Sequence, residues 1–149
     1  MLTAKIASPG EIERIRAFYH ANAYNPEIGQ ADVFILAEEE GGGICGAMRL
    51  CMEEDTLLLR GMRVAEEKRR QGIGTQMLLA AQACFDKREC FCIAHRHLEA
   101  FYGQIGFAEI EASQAPAFLR ERWKGYIRDH GMEVILMRRA SPVEAPRIA

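Results

Sequence analysis

Arg69-Arg70-Gln71-Gly72-Ile73-Gly74-Thr75 joins an apolar run, residues 56–64 (TLLLRGMRV), to a segment in which Met77, Leu78, Ala81, Cys84 and Phe85 recur at helical spacing. The pattern predicts a strand, a polar turn over 65–71 and a helix from Gly72 to about Asp86. Two glycines and two arginines therefore sit at a helix start. Backbone N–H groups there lack intrahelical acceptors, the helix dipole adds partial positive charge, and a glycine lets an anion approach without a Cβ in the way. Arg69 and Arg70 can add charge-assisted hydrogen bonds to phosphate oxygens, and Thr75 a hydroxyl. A dinucleotide fingerprint would need a third glycine where Met77 stands, and the Gly-Lys-Ser/Thr triplet of a P-loop is absent. By itself the pattern is equally that of a solvated helix start.

On the N-terminal side, residues 2–7 read as a short strand. Ser8-Pro9-Gly10-Glu11 then offers an N-cap, a first-turn proline and a capping-box glutamate for a helix to about Tyr19, with Ile12, Ile15 and Phe18 at helical spacing. Residues 20–31 carry turn formers and little periodicity. Strands over 32–38 and 44–51 flank the turn Glu39-Glu40-Gly41-Gly42-Gly43, and Glu53-Glu54-Asp55 precedes the strand at 56–64. On the C-terminal side come a strand at 90–94, a short helix at 97–104 and a strand at 107–111. A helix begun at Pro116, with Leu119, Trp123 and Ile127 on one face, leads to a last strand at 132–138. The tail from Ala140, with Pro142 and Pro146, is expected to fray. Strands and helices in this order predict one mixed α/β sheet with helices on its faces, in one domain over residues 1–139.

About thirty residues after the glycine pair stands Phe101-Tyr102-Gly103-Gln104-Ile105-Gly106-Phe107. Together the two segments resemble the GNAT superfamily of N-acetyltransferases. In that family a strand ending in valine, here Val64, leads to Arg/Gln-x-x-Gly-x-Gly/Ala, and an aromatic-Tyr-x-x-x-Gly-Phe segment follows. The resemblance covers roughly residues 57–107. It implies a single mixed, mostly antiparallel sheet with helices on both faces and splayed central strands, and acetyl-CoA as co-substrate without a metal. It also implies that the backbone of Met62 and Val64 pairs with the pantetheine arm, and that the pyrophosphate is held by Arg69, Arg70, Gln71, Gly72, Ile73, Gly74 and Thr75. Tyr102 would be the general acid that protonates the departing thiolate. The residues themselves leave a second option, since Leu98, Phe101, Tyr102 and Ile105 share one helical face and could simply be core.

Two positions depart from the family pattern: Glu66 replaces a proline frequent after the strand valine, and His95 an asparagine frequent after the fifth strand. The strand at 57–64 holds no carboxylate or histidine to act as base, and Glu38 and His95 are only weak candidates. The acceptor implied is a primary amine on a small molecule or peptide. In the family it is chosen by the segments corresponding to 20–31, 53–55 and 112–130, and Glu53, Glu54 and Asp55 suggest a cationic one. A homodimer is an option the family offers. The alternative function on the same fold is a non-catalytic acyl-CoA-binding sensor or regulatory module.

The chain has 149 residues and a formal charge of −2, with 27% charged and 49% hydrophobic residues, the profile of a globular protein. No net positive charge favours nucleic acid or an anionic membrane, and acidic Glu121 and Asp129 interrupt the basic set Arg120, Arg122, Lys124 and Arg128. The lack of a long apolar stretch leads us to expect a cytoplasmic protein. The five cysteines are an odd number in apolar surroundings and are expected as buried free thiols. Cys90, Cys92, His95 and His97 lie within eight residues but lack the spacing of a structural zinc site, so no metal is expected.

Overall fold

In the computed structural model, residues 2–85 and 87–141 are described, and the chain divides into two compact units, Met1–Asp86 and Lys87–Ala149. Most of the tail expected to fray, residues 142–149, lies outside the described residues.

The first unit is an antiparallel sheet in the order β1 (Thr3–Ile6), β2 (Val33–Glu38), β3 (Ile44–Glu53), β4 (Thr56–Val64). Ser8 donates its N–H to Glu11 Oε1 at 2.9 Å, which anchors a 3-10 turn at Pro9–Glu11 ahead of α1 (Ile12–Ala21). Glu54 and Asp55, both left-handed at φ 47° and 61°, make the two-residue turn between β3 and β4. α2 (Ile73–Ala81) follows β4 and tightens into a 3-10 turn at Gln82–Cys84, so the regular helix is shorter than its apolar spacing predicts. The two helices cover opposite faces of this sheet. Gly46 meets Ile73 and Met77 of α2, whereas its neighbour Ala47 packs with Ile15 and Tyr19 of α1. Ile15, Leu36, Met77, Leu78 and Ala81 are fully buried, and truncating Ile15 or Leu36 to alanine should cost about 2–5 kcal/mol. Cys84, expected on the inner face of α2, is only half-buried because it falls in the tightened turn.

The second unit has the strand order β5 (Cys90–His95), β7 (Val134–Arg139), β6 (Phe107–Glu109), all antiparallel. α3 (Glu99–Gly103) precedes β6, and α4 (Ala117–His130) packs on β7. Of the face expected on α4, Leu119 is buried and Trp123 donates its indole N–H to the Val134 carbonyl at 2.9 Å, but Ile127 is 41% exposed. The helix outruns the strand it covers. β7 starts two residues later than expected, since left-handed Gly131 ends α4 and the Met132 N–H turns back to the Tyr126 carbonyl. All five cysteines are free, and four are buried.

Candidate functional site

Along β4 the environment changes midway. Leu57, Leu58 and Leu59 are buried, whereas every residue from Arg60 to Val64 is half-buried. The change coincides with a bulge, because Ala47 pairs with Arg63 and Arg49 with Arg60, leaving Gly61 and Met62 opposite Met48. Gly61 is left-handed at φ 68°, and a Cβ there would lie 2.9 Å from Tyr24 Cε2 and 3.0 Å from the Tyr19 hydroxyl. Only glycine satisfies both the conformation and the space. Of the residues that the resemblance gives to the pantetheine arm, Met62 lies in this bulge and Val64 follows it.

Beyond β4 a 3-10 turn, Glu66–Lys68, leads to the segment that predicts the phosphate cradle. Arg69 donates from Nε to the Val64 carbonyl at 3.3 Å, turning its side chain back on the strand. Arg70 is left-handed at φ 67° and Gly72 at 78°, with Gln71 between them on the ordinary side. Alternation of hand gathers successive N–H groups on one concave side, an arrangement suited to an anion. Gly72 is the N-cap of α2 and no side chain caps the helix. The first rung runs from the Gln76 N–H to the Gly72 carbonyl at 3.1 Å, so the amides of Ile73, Gly74 and Thr75 precede the ladder. A Cβ on Gly72 would meet nothing within 4 Å, so the space before the helix is open. Arg70, Gln71 and Gly72 are exposed, while the Ile73 side chain is buried and anchors the helix start. In the first unit residues 69–75 thus lead from the end of β4 into α2, with Arg69 hydrogen-bonded back to Val64.

Arg49, the one charged residue buried among the described residues, forms a cluster that the apolar reading of its strand overlooked. From the middle of β3 it donates Nη1 to Asp32 Oδ2 at 2.9 Å and to the Glu27 carbonyl at 3.2 Å. Its Nε and Nη2 both donate to the Tyr24 hydroxyl, at 3.3 and 3.1 Å. One guanidinium thereby ties three points of the irregular 22–32 loop to the sheet. Arg63 lies over the Tyr24 ring, 4.4 Å from its centroid. The Tyr19 hydroxyl, fully buried beneath, has no hydrogen-bond partner, and burial pushes its pKa up. An arginine within an otherwise apolar run, and a glycine inside a strand, were the signals available for this cluster.

In the second unit Tyr102 is 6% exposed on α3, its ring edge-on to Phe101 and Phe107 at 5.0 and 6.1 Å. Ile105 is buried with it, as the helical spacing predicts. Glu38 pairs with Lys5 and Arg14 at 3.0 and 3.1 Å, and the Lys5 hydrogen bond holds its carboxyl below the usual carboxylate value. His95 is exposed at the end of β5 and stacks on His97 at 5.6 Å. Cys90 and Cys92 are buried while those histidines are exposed, and the described residues contain no group of three or more metal-ligating side chains.

The description "Acetyltransferase (GNAT) domain" matches residues 30–109, more than half of the chain and parts of both units. The chain belongs to the GNAT acetyltransferase family. No curated protein sequence matches it. Among solved structures, this GNAT chain is similar to a histone acetyltransferase HPA2-related protein of Corynebacterium glutamicum, with a TM-score of 0.70, 14% identity and 99% of each chain covered. It is also similar to Arabidopsis thaliana Naa50, solved with the bisubstrate analogue CoA-Ac-MVNAL, with a TM-score of 0.64, 14% identity and 93% and 98% of the two chains covered. N-acetylglutamate synthase of Neisseria gonorrhoeae, solved with coenzyme A and N-acetyl-glutamate, gives a TM-score of 0.64 at 15% identity over 93% of this chain. This GNAT chain spans 35% of that synthase's length. At these identities the likeness is one of fold, the α/β fold that the sequence predicts. No helix among the described residues is long and apolar enough to cross a membrane.

Proposed function

We propose that residues 1–139 act as one acetyltransferase domain that moves the acetyl group of acetyl-CoA directly to a primary amine. The observation that carries this reading is the start of α2, which has no side-chain cap hydrogen bond, follows left-handed Arg70 and Gly72, and has open space where a Cβ of Gly72 would lie. Arg69, Arg70, Gln71, Gly72, Ile73, Gly74 and Thr75 hold the pyrophosphate, the amides supplying hydrogen bonds and Arg70 added charge. Met62, in the β4 bulge, and Val64 beyond it pair with the pantetheine arm, which sets the thioester against the acceptor. Tyr102 gives a proton to the departing thiolate. A thiol with a reference pKa of about 8.5 already leaves readily, so positioning contributes more than this proton. Burial pushes the thiols of Cys45, Cys51, Cys84 and Cys92 up, away from the reactive thiolate, which supports transfer without an acetyl-cysteine.

The neighbours solved with N-acetyl-glutamate and with a peptide-bearing analogue support an amino acid, peptide or small-molecule amine as acceptor. A second reading, a non-catalytic acyl-CoA-binding module, draws on Tyr102, whose burial among aromatic rings suits a core residue equally well. The two readings separate by thiol release from acetyl-CoA over a panel of primary amines. An enzyme shows turnover, and Tyr102→Phe lowers kcat about 10- to 1000-fold with unchanged acetyl-CoA affinity. Binding of acetyl-CoA without turnover of any amine would establish the sensor instead, and an undiminished Tyr102→Phe rate would remove Tyr102 from the chemistry.

A further inference from the structure

The turn that leads from β4 into α2 is tied to a second turn of the same sheet. Val64 pairs with Gly46 of β3, and the Ala65 N–H continues that ladder by donating to the Cys45 carbonyl at 2.8 Å. The end of β4 therefore lies beside the start of β3 and the 39–43 turn that precedes it. One side chain from each segment joins them, with Lys68 Nζ 2.8 Å from Glu39 Oε1. Glu39 springs from a closed turn: its N–H donates to the Gly43 carbonyl at 2.9 Å and its carbonyl accepts the Gly42 N–H at 2.8 Å. Arg14 of α1 donates to the Gly42 carbonyl and pairs with Glu38 at 3.1 Å, so sheet and helix both hold that turn in place.

On the other side of the pair, the Lys68 N–H closes the 3-10 turn on the Ala65 carbonyl at 2.8 Å. Two residues later Arg70 is exposed and left-handed at φ 67°. A residue other than glycine keeps that conformation only where its surroundings hold it. The Arg69 bond to the Val64 carbonyl, five positions back, is local, whereas the Lys68 pair reaches 29 positions back to Glu39. Two roles are open to an ammonium placed here, and they differ in sign. As a phosphate ligand it would have to leave Glu39, which would then compete with the cofactor. As a tie it would work because Glu39 holds it. The 2.8 Å contact is that of a charge-assisted hydrogen bond, and it raises the pKa of Lys68, keeping the group charged and engaged.

We infer that Lys68 is a positioning residue: bound to Glu39, it braces the turn after β4 against the 39–43 turn and so sets Arg70 for the pyrophosphate of the acyl donor, without touching the phosphates itself. The inference rests on the acetyltransferase reading and adds to it two residues outside the 69–75 segment that govern cofactor affinity.

The test is calorimetric titration of acetyl-CoA into the full chain and into Glu39→Gln, Lys68→Met, the double variant and Lys68→Arg, beside urea unfolding of each. An exposed ion pair transmits little, so Glu39→Gln and Lys68→Met should each weaken acetyl-CoA about threefold and hardly move the urea midpoint. The double variant should bind no more weakly than Lys68→Met, since the two side chains act as one unit. Lys68→Arg should bind like the parent, because a guanidinium can take the same carboxylate. The sign at Glu39 decides between the two roles. Removing a negative charge near a bound anion tightens binding by electrostatics alone, so weaker binding to Glu39→Gln reports the lost brace. Unchanged or tighter binding to Glu39→Gln, additive losses in the double variant, or a loss matched by a fall in urea midpoint overturns the inference and leaves the acetyltransferase reading in place. A parent chain that binds no acetyl-CoA overturns both.

Discussion

The start of α2 and the Arg49 cluster are both rich in hydrogen-bond donors, yet they are built for opposite purposes. At Arg49 the donors belong to one side chain, 4% exposed, and those at Nε, Nη1 and Nη2 are committed to Tyr24, Glu27 and Asp32. At α2 the donors belong to the backbone of a helix start that has no side-chain cap hydrogen bond and follows the exposed residues Arg70, Gln71 and Gly72. A spent side-chain donor set holds structure, whereas backbone donors ahead of a helical ladder are placed to meet a ligand. The difference lies in what surrounds the donor, so it should appear as a separation between effects on stability and effects on binding.

The largest expected effect breaks the committed side. Arg49→Met leaves Asp32 buried without its partner and frees the 22–32 loop, and urea unfolding should show a loss of about 3–5 kcal/mol. Acetyl-CoA affinity measured on the folded fraction should hardly change. Next, Gly61→Ala places a Cβ 2.9 Å from Tyr24 at a left-handed position, and the same measurement should show about 1–3 kcal/mol. At the open side the signs diverge. Arg70→Gly relieves a left-handed residue and should leave stability unchanged or raise it by up to about 1 kcal/mol, while weakening acetyl-CoA about tenfold or more by loss of a charge-assisted contact. An Arg70→Gly protein that binds acetyl-CoA as tightly as the parent would mean that this side chain has no part in the cradle.

The smallest effect concerns a committed donor set at the surface. The Lys5 hydrogen bond depresses the pKa of Glu38, so the group stabilises the fold above its unfolded pKa of about 4.3, and that contribution fades as pH falls through the lower folded value. Glu38→Gln should therefore lower Tm by less than about 3 °C at pH 7, and the difference should vanish in acid. A difference that persisted at low pH would assign the effect to packing.

This contrast also explains what the sequence made legible. The turn and helix start at 69–75 could be read because their signals are local: two glycines, two arginines and a helical period within one stretch. β4 and the capping box at Ser8 were legible for the same reason. The cluster at Arg49 joins residues up to 25 positions apart, and its loop partners act partly through a backbone carbonyl, which residue types do not reveal. The bulge at Gly61 depends on pairing register with β3, and the exposed Ile127 on how far α4 extends past β7, so neither follows from periodicity alone. Tyr102 marks the other limit, since its helical spacing fits a core residue and a family acid equally, and its burial agrees with that spacing.

The most direct test of the central claim is calorimetric titration of the purified chain with acetyl-CoA, beside Gly72→Glu, whose side chain enters open space but brings a negative charge into the cradle. The account predicts micromolar binding to the parent and none to a folded Gly72→Glu protein. Absence of binding to the parent, or equal binding to both, would contradict it and reduce the segment to a solvated helix start.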